Sequence, residues 1–527
     1  MADSQHTSIN NDINSNANAT TNSRDERELR LFLALDKENK GFTTRREIFR
    51  SITHMGICLE DARLKESIKA LDTYTDLDPI SYAEFCQIIR PNISLIEQIL
   101  QANLIIPEFA ESRRAIEQIF ETTKTIPDGK VAHYIPQLAR VAPDQYAVSL
   151  CTIDGQRFSL GDYQTDFCIQ SCCKPINYCL ALEENGEDGV HKHVGREPSG
   201  RGFNELTLNH EGKPHNPMLN AGAIMCCSLI KPGINIADRF DYVMGQWKAL
   251  CGGTKVGFSN SVYLSERATA DRNFALGYFM RENKAFPENT DLIATLEFYF
   301  QCCSIEVNTE QMSIVAATLA NGGVCPITGK RIFKPKTVQN CLSLMSSCGM
   351  YDFSGEFAFT VGLPAKSGVS GVIMIVVPNV MGICTWSPRV DRQGNSVRGI
   401  AFCKKLVETF NFHNYDNLTG LSEKRDPRRN RLDVETDRVI AMIWAASKGD
   451  LTAIQRLVAR GVDINGADYD GRTPLHLAAS EGHTHIVQYL INYQAKTNLI
   501  DRWGNTALDD AIQNKHQEIV NLLKTTA

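Results

Sequence analysis

The chain runs to 527 residues, carries a formal net charge of −6 and is 43% hydrophobic. That length holds about three domains at ~150 residues each. The acidic balance argues against nucleic acid as the main partner, and no apolar run approaches the ~18 residues of a membrane span. The 17 cysteines include the adjacent pairs Cys172-Cys173, Cys226-Cys227 and Cys302-Cys303, set in apolar helical patterns and without zinc spacing. They read as small buried thiols of a reducing compartment, so no metal site is expected.

Residues 1–24 are rich in Asn, Ser, Thr and Ala and read as a disordered tail. They show neither a secretory core nor the arginine-rich, acid-poor pattern of a mitochondrial presequence, so the residues alone point to the cytoplasm. Residues 25–100 form a helical block in which Asp36-Lys-Glu-Asn-Lys-Gly41 resembles the start of a calcium loop. The template would use Asp36, Glu38, Lys40, Gly41 and Glu47, but Lys40 opposes a cation. In the second half, Asp72 to Asp78, Leu77 stands where the turn needs glycine. The pair is expected to be a degenerate EF-hand used for packing.

A linker helix over 101–127 leads to a middle domain at about 128–418. Tyr146–Ile153 reads as a strand, with a hairpin turn at Asp154-Gly155; Val372–Val377 reads as a buried strand with Gly382–Trp386 beside it. Helical patterns lie between, at about 171–184, 217–231, 236–251 and 309–321. Strands at both ends and helices between predict an α+β layout with one sheet closed by both ends of the domain. A charged linker follows at 419–437. From 438 to 527, Thr473-Pro-Leu-His476 and Thr506-Ala-Leu-Asp509 lie 33 residues apart, as do Ile454, Val487 and Val520. That period with Thr-Pro-Leu-His is the ankyrin signature, and about three repeats fit.

The chemistry concentrates at Ser171-Cys172-Cys173-Lys174. Positions i and i+3 share a helix face, and a lysine kept neutral by burial can take a serine proton. Pro175 is tolerated only in a first helical turn, so the helix must begin near Ser171, where backbone N–H groups can stabilise an oxyanion. The same spacing recurs at Ser228-Leu-Ile-Lys231, which closes a helix before Pro232-Gly233 and reads as a C-terminal lysine facing the helix dipole. Lys366-Ser367-Gly368 precedes the strand at 372. In penicillin-recognising enzymes such a tripeptide on an edge strand faces the Ser-x-x-Lys helix, and its glycine lets a substrate approach the backbone. Tyr351 is either a proton relay beside a lysine or a core aromatic with a bonded hydroxyl. A cysteine nucleophile at Cys172 or Cys173 lacks a paired histidine.

Taken together, His215-Asn-Pro-Met-Leu-Asn220-Ala-Gly-Ala, Ser265-Glu266-Arg267 with Asp271-Arg-Asn273, Phe298-Tyr299-Phe300, Met350-Tyr351-Asp-Phe-Ser-Gly and Pro364-Ala-Lys-Ser-Gly-Val369 resemble the glutaminase family. The likeness is strongest to the animal kidney and liver type and covers about 25–527. It implies a serine β-lactamase-like catalytic domain between EF-hand-like helices and ankyrin repeats. It implies hydrolysis of the side-chain amide of L-glutamine to L-glutamate and ammonia through a seryl acyl-enzyme. Ser171 then resembles the nucleophile, Lys174 its base and Tyr351 the proton relay, with the N–H groups of Ser171 and Val369 as the oxyanion hole. Tyr134, Gln170, Asn220, Glu266, Asn273 and Tyr299 resemble the substrate clamp, and a free amino acid does need a carboxylate such as Glu266 for its ammonium.

The resemblance further implies no metal or organic cofactor, activation by inorganic phosphate, a homotetramer or filaments, and mitochondria as the alternative compartment. Glu197–Pro214 corresponds to the family's gating loop; Leu206-Thr207-Leu208 departs from the aromatic of the mammalian kidney type, which touches the subunit contact and not the chemistry. Two rivals stand beside this reading. A penicillin-recognising hydrolase would need a periplasmic signal and a more open cleft. An ankyrin and EF-hand scaffold with a dead catalytic domain would not keep Ser171, Lys174, Tyr351 and Glu266.

Overall fold

A computed structural model describes residues 26–36, 38, 40–202, 205–416, 424–427, 434–459 and 461–526. The tail expected at 1–24 and most of the linker at 419–437 lie outside the described residues. The chain divides into two compact units, Gly56–Cys58 with Glu108–Pro427, and Met1–Met55 with Leu59–Pro107 and Arg428–Ala527.

The first of these units is built on five strands: β1 (Ala147–Thr152), β2 (Arg157–Gly161), β3 (Ala365–Gly368), β4 (Val372–Val377) and β5 (Met381–Trp386). Their order is β2-β1-β5-β4-β3 and every pairing is antiparallel. Two strands come from the start of the domain and three from its end, as the sequence pattern predicts. β1, β4 and β5 are buried along their whole length, which is why they read as continuous apolar runs. The helices α1 (Phe109–Lys124), α2 (Cys173–His191), α3 (Asn220–Leu229), α4 (Leu292–Cys303), α5 (Thr309–Ala320) and α6 (Val397–Thr409) surround the sheet or fill the layer beside it.

Two glycines let helices lie flat on the sheet. A Cβ on Gly382 of β5 would stand 2.0 Å from the Ala317 nitrogen of α5. On the other face, a Cβ on Gly399 of α6 would stand 2.8 Å from Ile373 Cδ1 and from Thr385 Oγ1. Any larger residue at either place forces the layers apart.

The inserted helices share one core, with Ile176, Leu180, Ile224, Leu296 and Phe300 all buried together. One short ladder fixes where α2 begins. Phe167–Cys168 pairs with Ile305–Val307, Phe167 opposite Val307, and the Ile169 N–H donates to Ile305 O at 2.9 Å. Phe167 also stacks on Trp386 of β5 with ring centroids 5.4 Å apart. Burying a side chain of that size contributes about 1.5–3 kcal/mol. The start of α2, the end of α4 and the sheet are therefore tied at one point.

In the other unit, the strands Phe42–Thr44 and Pro79–Ser81 pair antiparallel, with Thr43 opposite Ile80, as in an EF-hand pair. Both exit helices carry capping boxes, at Thr44/Glu47 and Ser81/Glu84. Protein cations sit in both loops. The Lys40 ammonium lies 2.6 Å from Glu38. The Arg45 guanidinium donates to Tyr74 O at 2.9 Å and lies 3.4 Å from Asp72 and 3.8 Å from Asp76. Among the described residues no three His, Cys, Asp or Glu side chains converge on a metal-sized site.

The helices Val434–Lys448, Leu451–Ala459, Pro474–Glu481, Thr484–Asn492, Ala507–Gln513 and Gln517–Thr526 make the repeats. Ile454, Val487 and Val520, spaced by the repeat, are all buried in their common core. The capping boxes Thr473/His476 and Thr506/Asp509 recur at the same interval. No helix among the described residues is long and apolar enough to cross a membrane.

Candidate active site

Three short networks meet where α2 begins. The helix is preceded by a 3₁₀ turn, Gln170–Cys172, so Ser171 lies in this tighter turn and Pro175 falls in the first turn of α2 proper. Gln170 has φ 48°, a left-handed conformation costing a non-glycine residue about 1–3 kcal/mol. Ser171 is partly exposed while Cys172, Cys173 and Lys174 behind it are buried.

The first network surrounds Lys174, whose side chain is 1% exposed. Its Nζ donates to Asn220 Oδ1 at 2.7 Å and to Met218 O at 3.2 Å. Asn220 opens α3, and its Nδ2 donates to Asn273 Oδ1 at 3.1 Å while its Oδ1 accepts from the Tyr299 hydroxyl at 3.4 Å. Both partners of the amine are uncharged. Burial therefore dominates and lowers the Lys174 pKa to about 8.

The second network holds the hydroxyl. The Tyr351 hydroxyl hydrogen-bonds Ser171, and burial raises its pKa, so the phenol keeps its proton. Tyr351 too has a left-handed φ, 52°. It is placed by a close approach: Gly349 lies so tightly on β3 that a Cβ there would stand 1.8 Å from Ala365 O. β3 is in turn pressed on the nucleophile turn. A Cβ on Gly368 would meet Ile169 O at 2.9 Å, and the Cys172 thiol donates to Lys366 O at 3.2 Å. Val369 follows directly, partly buried beside Ala132, Ile135 and Cys168.

Lys366 carries a second buried amine. It is 0% exposed, donates to Ser367 O at 2.7 Å, and lies 4.5 Å from the centre of the Tyr351 ring. Burial first, then the neighbouring Lys174, lowers its pKa to about 7. The sequence pattern around Lys366-Ser367-Gly368 draws attention to the glycine and the backbone; the amine was the available signal for a second titrating group and only the fold shows where it points.

The third network is acidic. Tyr134 is half exposed, but its hydroxyl turns inward, donating to Glu266 Oε1 at 2.5 Å with Gln170 Oε1 3.2 Å away. Burial raises the pKa of Glu266, against the hydrogen bond from Tyr134. Gln170 directly precedes Ser171, which places the acidic group beside the hydroxyl network. The structure thus brings Tyr134, Gln170, Ser171, Lys174, Asn220, Glu266, Asn273, Tyr299 and Tyr351 together, with Val369 at the end of the strand that packs on the same turn. The second Ser-x-x-Lys stands apart, with Ser228 buried at the end of α3 and donating to Met225 O at 2.7 Å.

Known proteins resemble the chain along most of its length. The family described as Glutaminase matches residues 129–415, Ankyrin repeats (3 copies) match 442–526, and an EF-hand domain matches 28–107. The chain is 52% identical over 442 residues to the glutaminase liver isoform, mitochondrial, of Rattus norvegicus, covering 84% of this chain and 73% of the relative. A solved probable glutaminase, ybaS, superposes with a TM-score of 0.55 at 36% identity, covering 57% of this chain and 96% of the other. A probable glutaminase from Bacillus subtilis complexed with 6-diazo-5-oxo-L-norleucine superposes with a TM-score of 0.50 at 30% identity, covering 57% and 94%. The α+β architecture is accordingly the serine β-lactamase-like one that the motifs imply. With its family shown over more than half its length, the chain belongs to the glutaminases, amide hydrolases that convert glutamine to glutamate.

Proposed function

We propose that the reaction runs through a seryl acyl-enzyme at Ser171. The observation that carries this is the pair of uncharged acceptors on Lys174. A neutral amine has two N–H bonds and one lone pair; Asn220 Oδ1 and Met218 O take the two donors, which leaves the lone pair for the Ser171 proton. Ser171 Oγ attacks the side-chain amide carbon, and the oxyanion forms at the N–H groups of Ser171 and Val369. Tyr351, a protonated phenol bonded to Ser171, gives its proton to the leaving nitrogen as the C–N bond breaks and ammonia departs. Water then loses a proton to the Tyr351 oxygen, attacks the ester carbon and releases glutamate, and the proton on Lys174 returns to Ser171 Oγ. Glu266 receives the substrate ammonium, and Asn220, Asn273, Tyr299, Tyr134 and Gln170 complete a polar lining with little other charge.

The test is direct. 6-Diazo-5-oxo-L-norleucine is a glutamine-shaped electrophile, and peptide mapping after exposure to it locates the nucleophile. A label on any side chain other than Ser171 ends the assignment.

Every proton in this scheme has a protein group to hold it, which supports a reaction without metal or organic cofactor. Ammonia release unchanged by a chelator is the expected result. Activation by inorganic phosphate, assembly into a homotetramer or filaments, and gating by Glu197–Pro214 rest on the family resemblance. The loop is pinned at its base, Glu197 N–H to His215 O at 3.1 Å and Gly195 N–H to Pro214 O at 2.8 Å, while residues 203 and 204 lie outside the described part. Phosphate titration of ammonia release, with sedimentation at each concentration, tests activation and assembly together. The ankyrin repeats supply a surface for a protein partner. The name of the rat relative supports a mitochondrial location over a cytoplasmic one, and fractionation of cells making the tagged chain decides it.

A further inference from the structure

We propose that Cys173 and Cys303 form a reversible oxidation site beneath the nucleophile, where a hydroperoxide joins the two sulfurs and displaces the reacting groups. Cys173 opens α2, two residues after Ser171 and next to Lys174; Cys303 closes α4, one helical turn beyond Tyr299. Their Sγ atoms lie 3.8 Å apart, and both residues are buried. The approach is set by backbone, because the Phe167–Cys168 and Ile305–Val307 ladder and the Ile169–Ile305 hydrogen bond tie together the segments flanking both cysteines. Tyr299 stands four residues before Cys303 on α4, and Lys174 follows Cys173 directly on α2. Of the two, Cys303 keeps the surface that a small oxidant can reach, 6% exposed against 0% for Cys173.

The chemistry balances with a hydroperoxide as the oxidant. The Cys303 sulfur, giving up its proton, attacks one peroxide oxygen; the O–O bond breaks and, for hydrogen peroxide, the other oxygen leaves as water. The Cys173 sulfur, also losing its proton, attacks the resulting sulfenic acid, and its oxygen leaves as a second water. A dithiol reductant reverses the step by thiol–disulfide exchange.

A disulfide requires sulfurs at about 2.05 Å, so this pair must close by about 1.8 Å. Side-chain rotation in a close-packed core absorbs part of that, and the remainder draws the start of α2 toward the end of α4. Ser171 and Lys174 ride on one, Tyr299 on the other. A misplacement near 1 Å costs about 100-fold in rate. That consequence rests on the roles assigned to Ser171, Lys174 and Tyr299 above, whereas the linkage itself does not.

The experiment exposes the purified full chain to hydrogen peroxide without reductant, then measures ammonia release and maps peptides under non-reducing conditions. The expected result is a 173–303 linked peptide that accumulates in step with roughly 100-fold loss of activity. Dithiothreitol reverses both, glutamate in the site slows both, and Cys173→Val or Cys303→Ala retains activity through the exposure. Two other close thiol pairs, Cys227 with Cys302 and Cys179 with Cys341, supply the internal comparison. A link at either of them in place of 173–303, a link with undiminished activity, or a loss that persists in Cys173→Val overturns the proposal. Should Cys173→Val fail to fold, Cys303→Ala and the wild-type peptide map decide. Failure of the Ser171 assignment would show separately, as diazoketone label on another residue.

Discussion

The chain contains the same four-residue spacing twice, and only one copy has the environment that chemistry needs. Lys174 and Lys231 each stand three residues after a serine. Lys174 is buried against an amide oxygen and a backbone carbonyl, neither of which holds a full negative charge. The Lys231 side chain is 44% exposed, lies 3.8 Å from the Glu184 carboxylate and 5.3 Å from the centre of the Tyr242 ring. A carboxylate and water both favour the ammonium, whereas dry neutral acceptors favour the free amine. The serines differ as well. Ser171 meets a phenol from a distant segment, and Ser228 merely returns a hydrogen bond to its own helix. The motif supplies the atoms; the partner of the nitrogen decides what they do.

The largest effect should follow from removing the oxygen that copy one activates. Ser171→Ala is expected to cut turnover by about 10⁴-fold or more while leaving thermal unfolding within a few degrees of wild type. Residual activity near wild type would break the comparison, because the first copy would then be as inert as the second. Lys174→Ala should lower kcat far more than it raises KM, by roughly 10³-fold, since a general base acts on the transition state. The pH profile carries the same information with a definite sign. Lys174 works as the neutral amine, and its pKa is lowered to about 8, so kcat/KM should climb as pH rises through about 8 and fall below it. A rate that is flat from pH 6 to 9 would remove Lys174 from the role of base.

A smaller effect is expected at Lys366, which lies against the Tyr351 ring and beside Lys174. Lys366→Met keeps the stem's packing and removes the amine. We expect about 10²-fold loss in kcat, together with a change in the pH profile, because a buried amine whose pKa is lowered to about 7 is gone from beside the Tyr351 ring. An unchanged profile would restrict Lys366 to holding β3.

What the sequence made legible follows from distance along the chain. The Ser171 to Lys174 spacing, the Pro175 limit on the helix start, the apolar strand at 372 and the ankyrin period are local patterns, and the fold carries each. The helix expected at 217–231 is shorter than its pattern, Asn220–Leu229, with the backbone already extended at Ile230 (φ −89°, ψ 112°) ahead of Pro232. The helix expected over 171–184 breaks where the Asn185-Gly186 turn signal stands, at Gly186, and resumes beyond it to His191. Contacts across long separations were legible only through motif and family resemblance, which set the 366–368 strand across from Ser171, and not from the residues themselves. Nothing in Lys366-Ser367-Gly368 tells that its amine faces a tyrosine, and nothing in Cys173 names Cys303, 130 residues on. The EF-hand-like pair shows the same limit. Lys40 reads as a misplaced cation from its position alone, but that Arg45, outside the second loop, reaches into it needed the pairing of the two strands.

The smallest effects belong to the second copy and give the comparison its edge. Ser228→Ala removes a hydroxyl that bonds Met225 O, a carbonyl already within a helix, so the expected cost is below about 1 kcal/mol. Lys231→Gly removes an exposed ion pair worth about 0–1 kcal/mol and relieves a left-handed residue that glycine adopts freely. The loosened unfolded chain opposes that relief. The net change in stability should fall within about 1 kcal/mol of zero, with kcat and KM unchanged in both variants. Denaturant midpoints and steady-state kinetics read the two quantities independently. A kinetic defect in either variant would mean that the end of α3 reports to Asn220 at its start, and the chemistry would then depend on both copies.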